Sequence, residues 1–226
     1  MGEWTTVTAD DGHRLSAYLA PTASPAPAVV ILQEIFGVTR ELTGIADRFA
    51  DVGFRVVIPA LYDRIEPDYV LAYDESDRAR AAKNQLRYDE IDVDVKASLA
   101  LADTGKGLAL LGYCWGGGLV YWAAQNHTVA AVVSYYGTGL SQYCRSSSTP
   151  SARCLFHVGL EDPMIDVAAR NVIKASCRPV DRYFEYENAG HAFANTARPN
   201  YCKKPAALAE QRTLEFLHNV FTVDSD

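Results

Sequence analysis

Three side chains that together can carry out nucleophilic acyl chemistry stand at telling places in this chain: a cysteine, an aspartate and a histidine. Cys114 lies in Gly112-Tyr113-Cys114-Trp115-Gly116-Gly117, where an apolar run meets a glycine cluster. The pattern glycine-x-nucleophile-x-glycine belongs to a strand–turn–helix unit whose turn lifts the nucleophile out of the sheet in a strained conformation. Glycine is needed two positions to either side, because a side chain there collides with the adjoining strand and helix. A helix opening near Gly116 directs its first N–H groups and its dipole at the turn, favouring a thiolate at Cys114 and an oxyanion beside it. The plain alternative is a small buried thiol packed against glycine. The preceding strand, the following helix and both flanking glycines favour the nucleophile.

A nucleophile of this kind needs a base, and the base needs a group to orient it. Asp162 falls just beyond the strand-like run in "FHVGLEDPMI", and His191 falls in the glycine-flanked loop "ENAGHAF" after the next strand. The chain order Cys114, Asp162, His191 is nucleophile, acid, histidine. His13 lies in an N-terminal hairpin, His127 at a helix end, His157 inside a strand and His218 in the last helix. Asp162 has an ordinary alternative as a helix N-cap, with Glu161 as its rival for the acid's role. His191 has one as a loop histidine satisfied by backbone bonds.

Glu34, in Gln33-Glu34-Ile35-Phe36-Gly37, is a carboxylate at the end of an apolar strand. Such a group costs several kcal/mol unless it is paired or protonated. It is either a satisfied structural glutamate or a group that faces Cys114 and manages its proton.

The elements that must position these residues alternate. "EWTTVTADDGHRLSAYLA" reads as a hairpin turning at Asp11-Gly12. "ASPAPA" is a short spacer, and residues 28–37 form an apolar run expected for a strand buried on both faces. "ELTGIADRFADVG" is a helix ending on Gly53, and "FRVVIPALY" is a buried strand. Residues 74–102 are highly charged and mostly helical, with a poorly amphipathic first half that suits a loop or a cap over the fold. "GLALLGYC" is a strand and "GGGLVYWAAQN" a helix. "VAAVVSYYG" and "RCLFHVGLED" are strands, a helix covers 167–176, and "DRYFEYENAGHAF" is a strand leading into a loop. Residues 205–221 form a closing helix with proline at its start. "CRSSSTPSAR" is a surface loop by composition. Strands alternating with helices imply right-handed crossovers and a mainly parallel sheet in a single domain, 1–226.

The chain has 226 residues, about half of them hydrophobic, and a net charge of -7. That charge argues against nucleic acid or an anionic membrane as partner. No apolar run approaches the ~20 residues needed to span a bilayer. No basic-then-apolar leader opens the chain, so the cytoplasm is the expected location. The five cysteines, Cys114, Cys144, Cys154, Cys177 and Cys202, lack the spacing of a zinc site or a disulfide framework.

With these residues in view, the sequence resembles the dienelactone hydrolase (carboxymethylenebutenolidase) family of α/β-hydrolases. The matching segments are "QEIFGV" (33–38), "GYCWGG" (112–117), "YYG" (135–137), "LFHVGLED" (155–162), "AGHAF" (189–193) and "RTLEFL" (212–217). The resemblance implies an α/β-hydrolase fold with a mainly parallel central sheet flanked by helices on both faces. It implies a Cys114–His191–Asp162 triad, with Glu34 holding the resting thiol neutral and helping to form the thiolate when substrate arrives. The implied oxyanion hole is the backbone N–H groups of Ile35 and Trp115. The implied reaction opens the lactone ring of dienelactone to maleylacetate, in (chloro)aromatic catabolism, without metal or organic cofactor.

The family clamps its substrate's carboxylate with arginines. Arg78 in "DESDRAR" is the first candidate and Arg80 the second; the ordinary reading of either is a solvated helix charge. Where the family has a second arginine four residues after the histidine, this chain has Asn195. Where it has a serine directly after the histidine, this chain has Ala192. Asn195 offers hydrogen bonds without charge, so carboxylate recognition is weaker or arranged differently, and Arg198 is near enough in the chain to compensate. The expected partner is therefore a small lactone or ester, bound by a monomer. The alternative is a related carboxylesterase, lactonase or thioesterase acting on a less anionic ester. A third reading is a non-catalytic binding or redox-sensing protein on a hydrolase fold.

Overall fold

A computed structural model describes residues 1–22, 25–146 and 148–223. Residues 23–24 of the "ASPAPA" spacer and 147 of the "CRSSSTPSAR" loop lie outside the described residues, as do 224–226. The chain divides into two compact units, Met1–Leu108 and Ala109–Asp226.

In the first unit, β1 (Glu3–Thr8) and β2 (Arg14–Ala20) pair antiparallel as the expected hairpin. Its turn is closed by Ala9 N–H donating to the His13 carbonyl over 2.9 Å. All five residues of β3 (Ala28–Leu32) are buried, the pattern of a strand covered on both faces. α1 (Arg40–Asp51) is capped by Thr39, whose side chain accepts from Leu42 N–H, and stops at Gly53, which adopts φ +99°. β4 (Arg55–Pro59) runs parallel to β3 and antiparallel to β2, giving the order β1-β2-β4-β3.

β3 stops five residues short of Gly37, because polar bonds turn the chain there. Gln33 Oε1 accepts from Leu61 N–H at 3.1 Å, the Ile35 carbonyl accepts from Tyr62 Oη at 2.7 Å, and Glu34 bridges to Gly37. A short 3-10 helix covers Leu61–Arg64. The charged stretch resolves into α2 (Ser76–Lys83), which buries only Ala79 and Ala82, and α3 (Tyr88–Ala102). α3 is anchored through the buried Asp94, 2.7 Å from Arg64.

β5 (Leu108–Tyr113), which belongs to the second unit from Ala109 onward, feeds α4 (Trp115–Ala123). β6 (Ala131–Tyr135) is followed by α5 (Leu140–Tyr143), a single turn opened by Gly139 at φ +75° and too short to leave a periodic signal. β7 (Arg153–Gly159) leads to α6 (Val167–Ser176), at the expected bounds, and β8 (Arg182–Tyr186) leads through a loop to α7 (Lys203–Val223). α7 begins two residues before Pro205, which sits in its first turn where the missing N–H forfeits no helical bond. No helix among the described residues is long and apolar enough to cross a membrane.

β5, β6, β7 and β8 are parallel neighbours in that order. Parallel pairing brings their C-terminal ends to one edge, where an open α/β sheet builds its sites. Cys114 follows β5, Asp162 follows β7 and His191 follows β8, so all three candidates stand at that edge.

Candidate active site

Cys114 occupies the turn between β5 and α4 at φ +54°, ψ −117°, a region that residues other than glycine rarely adopt. Backbone bonds hold it there. Its N–H donates to the Tyr135 carbonyl at 3.0 Å, and its carbonyl accepts from Thr138 N–H at 2.9 Å and from Gly118 N–H at 3.3 Å. A Cβ on Gly112 would overlap the Gly116 carbonyl and come within 2.8 Å of the Gly117 nitrogen. The flanking glycines thus meet each other across the base of the turn. The first-turn N–H groups of α4 have no acceptor within the helix and add their dipoles at the Cys114 end.

Asp162 and His191 form a buried pair. The Asp162 Oδ2–His191 Nδ1 distance is 2.8 Å, and Asp162 Oδ1 accepts from Met164 N–H, also at 2.8 Å. The cap of α6 is Asp166, not Asp162: its side chain accepts from Ala169 N–H. Glu161 is exposed, which removes it as the rival acid. Among the described residues, His191 Nε2 is buried without a hydrogen bond of standard length and angle, and the Cys114 thiol lies within interaction range of the ring. Burial alone would lower the affinity of His191 for its proton. The bond to Asp162, then the interaction with Cys114, outweigh burial and push the imidazole up to about 10.

Three further cysteines are set in surroundings that oppose ionisation. Burial pushes Cys177 up to about 11 and raises Cys144 and Cys154, so these thiols stay protonated at neutral pH and are poor nucleophiles.

Sequence reasoning missed the residues that join the Asp162 and His191 loops. A Cβ on Gly159 would overlap the Ala189 carbonyl, and Glu161 N–H donates to that same carbonyl at 3.0 Å. Asn200 Nδ2 donates to the His191 carbonyl at 3.2 Å. The Tyr136 ring packs edge-on against His191, centroids 5.3 Å apart, from a backbone at φ +38°. The "YYG" segment was the available signal for Tyr136.

Of the expected substrate groups, Ala192 is buried at φ +63°. Asn195 is buried too and is folded into its own loop, where its Oδ1 accepts from Ala197 N–H at 3.0 Å. Arg78 and Arg80 belong to the first unit and are exposed on α2. Arg78 bonds to Tyr69 and Glu75, and Arg80 lies 3.6 Å from Asp77. Glu34 and Ile35, also in the first unit, form the turn after β3, with Glu34 buried.

An elbow of this build beside an acid–histidine pair, at the C-terminal edge of a mainly parallel sheet, defines an ester and lactone hydrolase of the α/β class. The chain belongs to the dienelactone hydrolase family, whose model matches residues 15–221. It is 35% identical to the carboxymethylenebutenolidase of Pseudomonas putida over 96% of both chains. It is 30% identical to carboxymethylenebutenolidase 1 of Cupriavidus pinatubonensis over 96% of this chain and 97% of that one. Among solved structures it is similar to a Klebsiella pneumoniae chain, with a TM-score of 0.78 and 23% identity over 95% of this chain and 98% of that one. A dienelactone hydrolase-like promiscuous phosphotriesterase from metagenomic libraries aligns with a TM-score of 0.76 and 19% identity, over 97% and 98% of the two chains.

Proposed function

We propose that this enzyme opens the lactone ring of dienelactone (4-carboxymethylenebut-2-en-4-olide), or a close analogue, to give maleylacetate in the catabolism of aromatic compounds. The observation that carries the reading is the buried Asp162–His191 bond of 2.8 Å with Cys114 as the second group acting on the same imidazole. The 35% identity to a carboxymethylenebutenolidase supports the choice of substrate.

The Cys114 thiolate attacks the ring carbonyl, forming a C–S bond and an oxyanion held by the N–H groups of Ile35 and Trp115. Removing one such donor costs on the order of 10²–10³ in rate. The ring C–O bond then breaks, and the enolate leaves and takes its proton from the His191 imidazolium. Water gives a proton to His191 and attacks the thioester, the C–S bond breaks, and Cys114 is released. Glu34 governs the thiol's proton in the resting enzyme.

A second reading, a less anionic ester or lactone, is favoured by one observation: Asn195 is uncharged and spends its Oδ1 on Ala197 N–H. A panel of cis- and trans-dienelactone against neutral lactones and p-nitrophenyl esters separates the two. Under the first reading, dienelactone has the highest kcat/KM, and Arg78→Ala raises KM for it at least tenfold while leaving the neutral esters unchanged. An equal effect of Arg78→Ala on both substrate classes establishes the second.

A further inference from the structure

At the N-terminal ends of β7 and β8 the second unit carries a groove enclosing about 180 Å³. Three arginines line it: Arg153 opens β7, Arg182 opens β8, and Arg212 reaches in from α7. Phe184, Phe216 and Val220 supply its apolar wall.

Three arginines face one acid in this lining, so most of the charge is uncompensated. Among the described residues no carboxylate lies within ion-pairing distance of these three guanidinium groups. Glu215, the one acid in the lining, accepts from Gln211 at 2.8 Å. Asp181, next to Arg182 in the chain, has its carboxylate taken by Arg178 and by the Cys154 N–H. In a protein of net charge -7, three arginines against one glutamate on a single groove raise the local potential, and a bound anion lowers it.

Two of the arginines are held in place. The Arg212 guanidinium carbon lies over the Phe184 ring, 3.9 Å from its centroid, and the side chain also bonds to Tyr186. Arg182 Nη1 donates to the carbonyls of Pro179 at 3.2 Å and Asp181 at 2.9 Å, which leaves its other edge for a ligand. Planar guanidinium forks match a carboxylate or phosphate head, and the volume admits a single aromatic ring, as cavities of about 150 Å³ do. β7 spans Arg153–Gly159, and at about 3.3 Å per residue the groove lies roughly 20 Å from the edge that carries Asp162 and His191.

We infer that this groove is a second ligand site, separate from the hydrolytic one, for a small organic anion with an apolar body and one carboxylate or phosphate head. Arginine provides the charge recognition, while Phe184, Phe216 and Val220 receive the body.

The test uses the whole protein with Cys114 alkylated by iodoacetamide, so that binding at the hydrolytic site is blocked. The probes are 4-fluorobenzoate, 4-fluorophenyl phosphate and the neutral 4-fluorobenzamide, followed by fluorine NMR. At least one anionic probe should bind tenfold or more tightly than the amide, and the tighter one identifies the head group. Arg153→Gln combined with Arg182→Gln should weaken that binding at least tenfold, while the unalkylated double variant keeps its kcat on p-nitrophenyl acetate. Equal affinity for charged and neutral probes, or binding unaffected by the double variant, overturns the site. One other occupant is separable by the same means: self-association that the double variant abolishes in sedimentation would assign the groove to a second copy, and that outcome overturns the proposal.

Discussion

Asp162 Oδ2 and His191 Nδ1 lie 2.8 Å apart in a buried setting, and the remaining Asp162 oxygen is fixed by Met164 N–H. The carboxylate has both oxygens committed, so it fixes the ring plane and its tautomer and stabilises the imidazolium. Replacing one carboxylate oxygen by an amide turns an acceptor into a donor at the place where the imidazole must donate.

Asp162→Asn should therefore lower kcat by about 10³–10⁴ with little change in KM. It should also move a titration. His191 is pushed up to about 10 with Asp162 as the leading attractive cause, so in the wild type the ring holds its proton through neutral pH and gives it up only near that value. In the variant the midpoint should fall towards the ordinary value near 6.5. Nitrogen NMR of the His191 ring reads this directly. An unchanged midpoint would show that Asp162 does not hold the proton.

Gly159→Ala tests the junction between the loops that carry Asp162 and His191. The added methyl meets the Ala189 carbonyl, which already accepts from Glu161 N–H. Overpacking of this kind costs about 1–3 kcal/mol, and here the backbone that must yield carries His191 two residues on. The urea midpoint should fall, and kcat should fall further than the stability loss alone explains. A variant of wild-type stability and activity would mean that the loops can part without consequence.

How far the sequence reveals this arrangement depends on how local each signal is. Cys114, Asp162 and His191 are legible because each follows a buried strand, and parallel strands deliver their C-terminal ends to one edge whatever the details of the loops. The bounds of α6 are legible too, although its cap is Asp166 and not the Asp162 that the sequence offers for that place. The end of β3 is not, because Gln33 Oε1 and Tyr62 Oη close that turn from residues nearly thirty positions apart. Nor are the partners of Arg78 and Asn195, since an arginine on an exposed helix or an asparagine in a loop gives no sign of where its side chain turns. Gly159 reads as an ordinary strand glycine until Ala189 is seen against it.

The buried Glu34 supplies a further prediction. If it holds the resting thiol neutral, removing its charge releases that control. Glu34→Gln should alkylate at Cys114 with iodoacetamide several-fold faster at pH 7 than the wild type, while its kcat falls. Slower or equal alkylation would leave Glu34 a structural residue of the turn after β3.

The central claim is that Cys114, held at φ +54° and acted on through His191, is the nucleophile. Its most direct test is kcat/KM of Cys114→Ala on dienelactone and p-nitrophenyl acetate, with the circular-dichroism spectrum and Tm as controls for the fold. A loss of at least about 10⁴-fold on both substrates, with the fold intact, is the expected result. Turnover within tenfold of the wild type in a correctly folded variant would contradict it.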